Sequence, residues 1–192
     1  MRLKYILLIL ILKTIGSFSQ QQAGNWYFGL RAGIRFNANG TITALTNGQH
    51  IAYGCSATIS NEMGQLLFYS DGRNVYNRIH TVMQNGAELM GDFETAQIAN
   101  VVQKPGSNTL FYLFTLDDFG PNGLRYSVVD MALNSGLGAV TNEKNILVHT
   151  PSTHKMTIVK HANNRDFWIV THGWNSNSFY SYLLTDSGLN AV

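Results

Sequence analysis

Four of the chain's six histidines fall within 24 residues, His149 to His172, in the stretch HTPSTHKMTIVKHANNRDFWIVTH. Histidines this close can hold a metal ion, act as acid and base, or brace strands and turns. Met156–His172 has the pattern of a β-hairpin with its turn at the segment NNRD. Pairing it about Asn164 and Arg165 sets His161 opposite Trp168 and His172 opposite Thr157. His161 and His172 are then four ladder positions apart, roughly 13–14 Å at ~3.4 Å per residue. One zinc ion needs both nitrogens at ~2.0–2.1 Å, so these two do not share one. His149 and His154 flank a TPST loop and can approach each other. No cysteine or carboxylate joins them in a ligand spacing. No metal site and no cofactor is expected here. The histidines are expected to hydrogen-bond strand ends and turns, with His161 stacking on Trp168.

The most suggestive loop follows directly, GWNSNSFY over Gly173–Tyr180. Trp174 sits among Asn175, Ser176, Asn177 and Ser178. An exposed aromatic plate beside amides and hydroxyls is suited to sugar rings or peptides. The competing reading packs Trp174 under the loop, and the high average burial of tryptophan favours it. Trp174, Asn175, Asn177, His172 and His161 are the candidate ligand-binding residues. No catalytic residue is assigned, because the chain has no GxSxG, no P-loop and no GxGxxG after a strand. The segment DDFGPNG (Asp117–Gly123) offers glycine and valine, Gly120 and Val129, where a calcium loop starting at Asp118 needs oxygen ligands. It reads as a polar turn. Asp71 in the segment SDG reads as a cap on backbone amides. Cys55, the only cysteine, lies in the alternating run YGCSATIS and is expected to be a small buried side chain. A catalytic thiol there would need a histidine partner and a depressed pKa.

The elements that position these residues are strands. The 192-residue chain is 45% hydrophobic but only 12% charged, about half the usual ~25%. Eighteen glycines, ten phenylalanines and nine tyrosines favour an all-β protein. Residues 1–19 are set apart from the fold. Arg2 and Lys4 precede the apolar run YILLILIL, and Ser17 and Ser19 stand at a cleavage site before Gln20. This is the pattern of a secretory signal peptide. A retained anchor is the alternative, but a span needs ~20 apolar residues and Lys13 ends this run early. Loss of the leader removes three of thirteen basic residues and leaves a net charge of −1 against eleven acidic ones. That balance gives no reason to expect nucleic acid, and no basic patch with interleaved aromatics is present.

The remaining chain, 20–192, repeats itself. CSATISNEMGQLLFYSDG, QIANVVQKPGSNTLFYLFTLD and KMTIVKHANNRDFWIVTH each read as a strand, a polar turn, and a second strand opening on an aromatic pair. YSVVDMALNSGLGAV at Tyr126–Val140 recurs as YSYLLTDSGLNAV at Tyr180–Val192. Pairs recur after 43 and then 56 residues, room for about four short strands, the size of a propeller blade. The expected fold is all-β and β-propeller-like, with about three recognisable four-stranded blades in an incomplete ring. Blade-like units fall near 25–51, 55–92, 97–149 and 155–192. The second full unit should place strands near 97–103, 110–116, 124–131 and 145–148. The segment 25–51 reads as outer strands that would complete the last blade of a closed ring. The length of 20–192 falls short of a closed ring of about six or seven blades, so the chain is expected to be a fragment of a longer protein or an open arc, and an arc ending at Val192 would expose blade faces and self-associate.

The motifs GNWYFGLRAGIRF, GQLLFYSDGRNVYNRIHTVMQNG, VVQKPGSNTLFYLFT and, most specifically, the segment KHANNRDFWIVTHGWNSN resemble one family. It is the N-terminal, propeller-like region of large secreted surface proteins of Bacteroidota, described as gliding-motility-associated or type IX secretion (type B sorting domain) proteins. The resemblance covers nearly all of Gly24–Asn190. It implies an extracellular, non-catalytic binding or scaffolding module of a cell-surface protein, with a glycan, a peptide or a neighbouring surface protein as partner. It supplies no catalytic residues. The alternative is a secreted propeller enzyme, a hydrolase or lyase. Convergence of His161, His172, Asp71 and Asp117 at one end of a channel would favour that alternative.

Overall fold

The structure, a computed structural model, describes residues 18–92, 95, 99–117 and 121–191. The expected leader at 1–19 lies outside them except for its last two positions, and the DDFGPNG segment lies partly outside. The described chain forms four small antiparallel sheets in sequence order. The first holds β1 (Asn25–Phe28), β2 (Ala32–Phe36) and β3 (Ile42–Leu45). The second holds β4 (Ala57–Ser60), β5 (Leu66–Ser70) and β6 (Val75–Asn77). The third is built from β7 (Ala99–Gln103), β8 (Leu110–Leu116) and β9 (Leu124–Asp130). Its outer edge is shared by β10 (Ala139–Val140) and β11 (Ile146–His149), which pair with opposite ends of β9. The last sheet runs β12 (Ser152–Lys160), β13 (Phe167–Gly173), β14 (Phe179–Thr185) and β15 (Gly188–Ala191).

Local sequence explains the hairpins. Asn37, Asn61 and Asn77 each donate their N–H to the carbonyl four residues on and accept from the N–H three residues on. The last turn residue is left-handed in each case: Gly40 at φ +81°, Gly64 at +75° and His80 at +63°. Glycine supplies that conformation at no steric cost. The Asn61 side chain also accepts from the Met63 and Gln65 amides, at 3.0 and 2.9 Å. The β12–β13 turn is one residue longer, closed by His161 N–H to the Asp166 carbonyl at 2.8 Å, with Asn164 left-handed at φ +59°. The Asn163 carboxamide accepts from Arg165 and Asp166 at 3.0 Å each. That turn moves the register from the expected one: Val159 faces Trp168 and Thr157 faces Val170, while His161 falls in the turn.

Each sheet buries a face on the next. Tyr27, Leu66, Tyr69 and Tyr76 close the first sheet on the second. Phe68 and Val75 of the second meet Phe111, Leu113 and Val129 of the third. Tyr112, Phe114 and Val128 on the third sheet's other face meet Met156, Ile169 and Leu184 of the last. The two middle sheets are therefore apolar on both faces, and the alternation of β8 separates two cores. The first strands of the first three sheets lie together, β1 against β4 and β4 against β7, whereas β12 lies on β8, the second strand of the third sheet.

Two expectations are corrected. Residues 25–51 contribute a three-stranded sheet whose Tyr27 and Leu45 face the second sheet. The chain thus has four sheets rather than about three, and the fourth strand of the second is reduced to a bridge between Tyr76 and Val82. Cys55 is exposed, because β4 starts only at Ala57 and the residues before it form an irregular surface loop. The expected strands 110–116 and 124–131 match β8 and β9 to within a residue.

Truncating a ring in the deepest core should be costly. Phe114→Ala is expected to lose about 3–5 kcal/mol, against less than about 0.5 kcal/mol for Met63→Ala on an exposed turn. Urea denaturation followed by tryptophan fluorescence measures both, and equal losses would contradict the two-core arrangement.

Candidate functional site

The loop between β13 and β14 is a short, tied turn. Gly173 N–H donates to the Ser178 carbonyl at 3.0 Å, and Ser178 N–H donates to the Ser176 hydroxyl at 2.9 Å. Trp174 N–H donates to the Pro151 carbonyl at 3.1 Å, which fastens the loop to the start of β12. Asn175 takes a left-handed φ of +47°. A side chain at Gly173 would meet the Tyr180 ring at 3.0 Å, so the glycine makes room for that ring to lie over the strand end. Every residue from Trp174 to Tyr180 is exposed. Trp174 is 43% exposed and Phe179 74%, so the indole is partly covered and partly in solvent.

Histidines back two of these aromatic rings. His149 lies against Tyr180 with centroids 3.8 Å apart, and its Nδ1 is 3.2 Å from the Tyr182 hydroxyl. His172 pairs directly with Phe179 across the ladder, ring centroids 4.8 Å apart. Burial pushes the His149 pKa below its ordinary value and the Tyr182 pKa above its own. Both groups are therefore neutral near pH 7, and the site carries no formal charge from Gly173 to Tyr180.

Of the five candidate residues, Trp174, Asn175, Asn177 and His172 lie together at this end of the last sheet. His161 does not. It sits at the far end of β13, six ladder positions from His172, roughly 20 Å at ~3.3 Å per residue. There it makes the expected ring contact with Trp168, centroids 5.4 Å apart, and its Nδ1 accepts from the Asn163 amide at 3.1 Å. Sequence reading missed His149, Phe179 and Tyr180. The alternation of FYSYLL beside the loop carried a signal for the last two, since the first residues of a strand flank its turn.

Asp71 and Asp117 follow the second strands of the second and third sheets, as Gly173 ends that of the last. Both carboxylates are engaged by their own turns. Asp71 accepts from the Asn74 and Arg73 amides at 2.8 and 3.1 Å and from the Tyr76 hydroxyl at 3.1 Å. Asp117 accepts from the Asn122 amide at 3.3 Å. Among the described residues no group of three or more His, Cys, Asp or Glu is placed to hold a metal ion.

A second cluster was not legible in the sequence. Tyr27, Tyr69 and Tyr76 stack in a row between the first two sheets, with centroids 4.5 and 5.1 Å apart. The Tyr27 hydroxyl donates to Asn47 at 2.9 Å, and the Tyr69 hydroxyl lies 3.2 Å from His80 Nδ1. His50 stands edge-on to Tyr27 and Tyr69, fully buried, with neither ring nitrogen hydrogen-bonded. Burial holds its pKa below the ordinary value. The Phe28 backbone and Asp71 pull the other way, from outside hydrogen-bond geometry. The same burial pushes the Tyr69 pKa up to about 12 and that of Tyr76 higher still.

Comparison of the chain with family models, curated proteins and solved structures gives no match. Among the described residues no helix is long and apolar enough to cross a membrane.

One buried and two half-buried histidines set a pH dependence. His50, His80 and His149 all have folded pKa values lowered by burial. The unfolded chain takes up protons near pH 6.5, while the folded chain takes them up only at lower pH. Stability is therefore full above about pH 6.5 and falls as pH drops below it. The urea midpoint should fall between pH 7.5 and 5.5, and His50→Gln should reduce that fall. A midpoint that rises on acidification would contradict the buried neutral state of His50.

Proposed function

We propose that this chain is an exported, non-catalytic binding module of a bacterial cell-surface protein, built as consecutive blades of a β-propeller. Its resemblance to gliding-motility-associated and type IX secretion surface proteins is part of that proposal. Sheet order, face-to-face packing and the gathering of the first strands of the first three sheets support the blade reading. Blades fan out from shared inner strands, and the loops after each second strand then lie on one face.

The observation that carries the functional reading is the loop Gly173–Tyr180. It offers an indole ring and a phenyl ring to solvent beside two carboxamides and two hydroxyls, with no charged side chain. Rings held by His149 and His172 and a loop tied to Pro151 lose little freedom on binding, which limits the entropic cost. An uncharged aromatic and amide surface fits the faces and hydroxyls of a neutral glycan better than a charged peptide. A peptide or a neighbouring surface protein is the other partner class. The enzyme reading is weakened because Asp71 and Asp117 are spent on their own turns and His161 lies at the opposite end from His172.

Binding of the exported chain to immobilised neutral polysaccharides and to cell-surface fractions tests the reading. Trp174→Ala should weaken binding about tenfold or more, with the circular dichroism spectrum unchanged. Unaltered binding by both Trp174→Ala and Phe179→Ala would remove this loop from the contact surface.

A further inference from the structure

Three asparagine-led turns, 37–41, 61–65 and 77–81, contribute to the wall of a groove of about 1460 Å³ at the ends of the first two sheets. Small-molecule sites hold roughly 300–1,000 Å³, so this groove has room for several linked units of a chain. Its lining carries two guanidinium groups, Arg35 and Arg78, and no carboxylate. Both arginines are exposed, and neither makes an ion pair among the described residues. Glu62, in the middle turn, lines a separate cleft of about 440 Å³ with Gln103 and Asn108.

Both guanidinium groups are held in place. Arg35 Nε donates to the Asn25 carboxamide oxygen at 2.8 Å. Asn25 is 1% exposed, and its own N–H groups donate to the Ser60 hydroxyl at 2.9 Å and the Gly64 carbonyl at 2.8 Å. Those two bonds orient the Asn25 oxygen and through it the Arg35 fork. Arg78 is braced from the third sheet, where its Nη1 donates to the Gly136 carbonyl. Each fork keeps further N–H groups for a ligand, and a carboxylate accepts such a pair in parallel. Trp26 and Phe36 add ring surface, edge to face with centroids 5.5 Å apart and 51% and 44% exposed. The Trp26 N–H is engaged by the Ala23 carbonyl at 2.8 Å, so the indole offers its face. The Gln65 carboxamide accepts from Asn61 at 2.9 Å and can still donate. A peptide that adds itself as a strand needs an open strand edge. Here the lining backbone at 37–40 and 61–65 is closed within its own turns, so recognition falls to side chains. Aromatic faces, carboxamides and two pre-placed cations suit sugar rings that carry carboxylates. We propose that this groove binds an acidic oligosaccharide, with uronic-acid carboxylates on Arg35 and Arg78 and sugar faces on Trp26 and Phe36. The groove shares no residue with the Gly173–Tyr180 loop and does not depend on the reading of that loop.

Isothermal titration of the whole chain with hexagalacturonate, with its fully methyl-esterified form and with hexaglutamate tests this. Hexagalacturonate is expected to bind. The methyl ester keeps the sugar rings and loses the charges, and should bind about tenfold or more weakly. Arg35→Gln and Arg78→Gln should each weaken hexagalacturonate about tenfold, with the thermal midpoint unchanged. Lys160→Gln removes an exposed cation outside the groove and should leave binding as it was. If Arg35→Gln lowers the thermal midpoint through Asn25, Arg78→Gln decides alone. Equal binding of the acid and its methyl ester would overturn the carboxylate assignment. A loss with Lys160→Gln as large as with Arg78→Gln would mean diffuse attraction of a polyanion and overturn the site. Hexaglutamate that binds as tightly as hexagalacturonate would make the occupant an acidic peptide and overturn the saccharide. A chain that does not bind hexagalacturonate at all would overturn the proposal outright.

Discussion

A small antiparallel sheet with apolar side chains on both faces cannot stand in water by itself. Fully burying one large apolar side chain contributes about 1.5–3 kcal/mol, and β8 buries Phe111 and Leu113 on one side and Phe114 and Leu116 on the other. That constraint shapes the molecule. Each of the two middle sheets lies between two others, so the chain stacks its sheets in series instead of folding around a single core. The aromatic residues are spent at these junctions, as the Tyr27, Tyr69 and Tyr76 row shows between the first two sheets.

The junctions differ in chemistry. The one between the second and third sheets is hydrocarbon, centred on Phe68, Phe111 and Leu113. The first junction is an aromatic stack with hydroxyls and imidazoles between its rings. It accepts a cost, since His50 is buried with both nitrogens unpaired. Protonating such a ring in place would leave a charge without a partner. The first junction is therefore the pH-sensitive one and the second is not. At the loop end, the histidines do different work, holding Tyr180 and Phe179 from behind while those rings remain at the surface.

This division also separates scaffold from site. The sheets are fixed by packing, whereas the loops after the second strands are fixed by local hydrogen bonds: Asp71 to its amides, Asp117 to Asn122, and the Gly173–Ser178 closure. Such loops can vary in sequence without disturbing the cores. That fits the recognition role proposed for this surface.

The all-β class and the positions of β8 and β9 were legible in the sequence, because alternation of period two and the Asn- and Gly-containing turns are local properties. So was the role of Asp71 as a cap. Register, pairing across sheets and exposure were not. The β12–β13 turn is one residue longer than the Asn37, Asn61 and Asn77 turns, and that single residue moved His161 out of the strand. Cys55 looked buried because its run alternates, yet β4 begins two residues later. The loop that carries Trp174 is held by Pro151, which lies outside its own sequence. The row of tyrosines depends on residues 49 positions apart, from Tyr27 to Tyr76. Sequence by itself determined which segments form strands, since that depends on neighbours in the chain. Only the tertiary structure decided which faces meet and which rings stay in water, because both are settled by contacts between sheets.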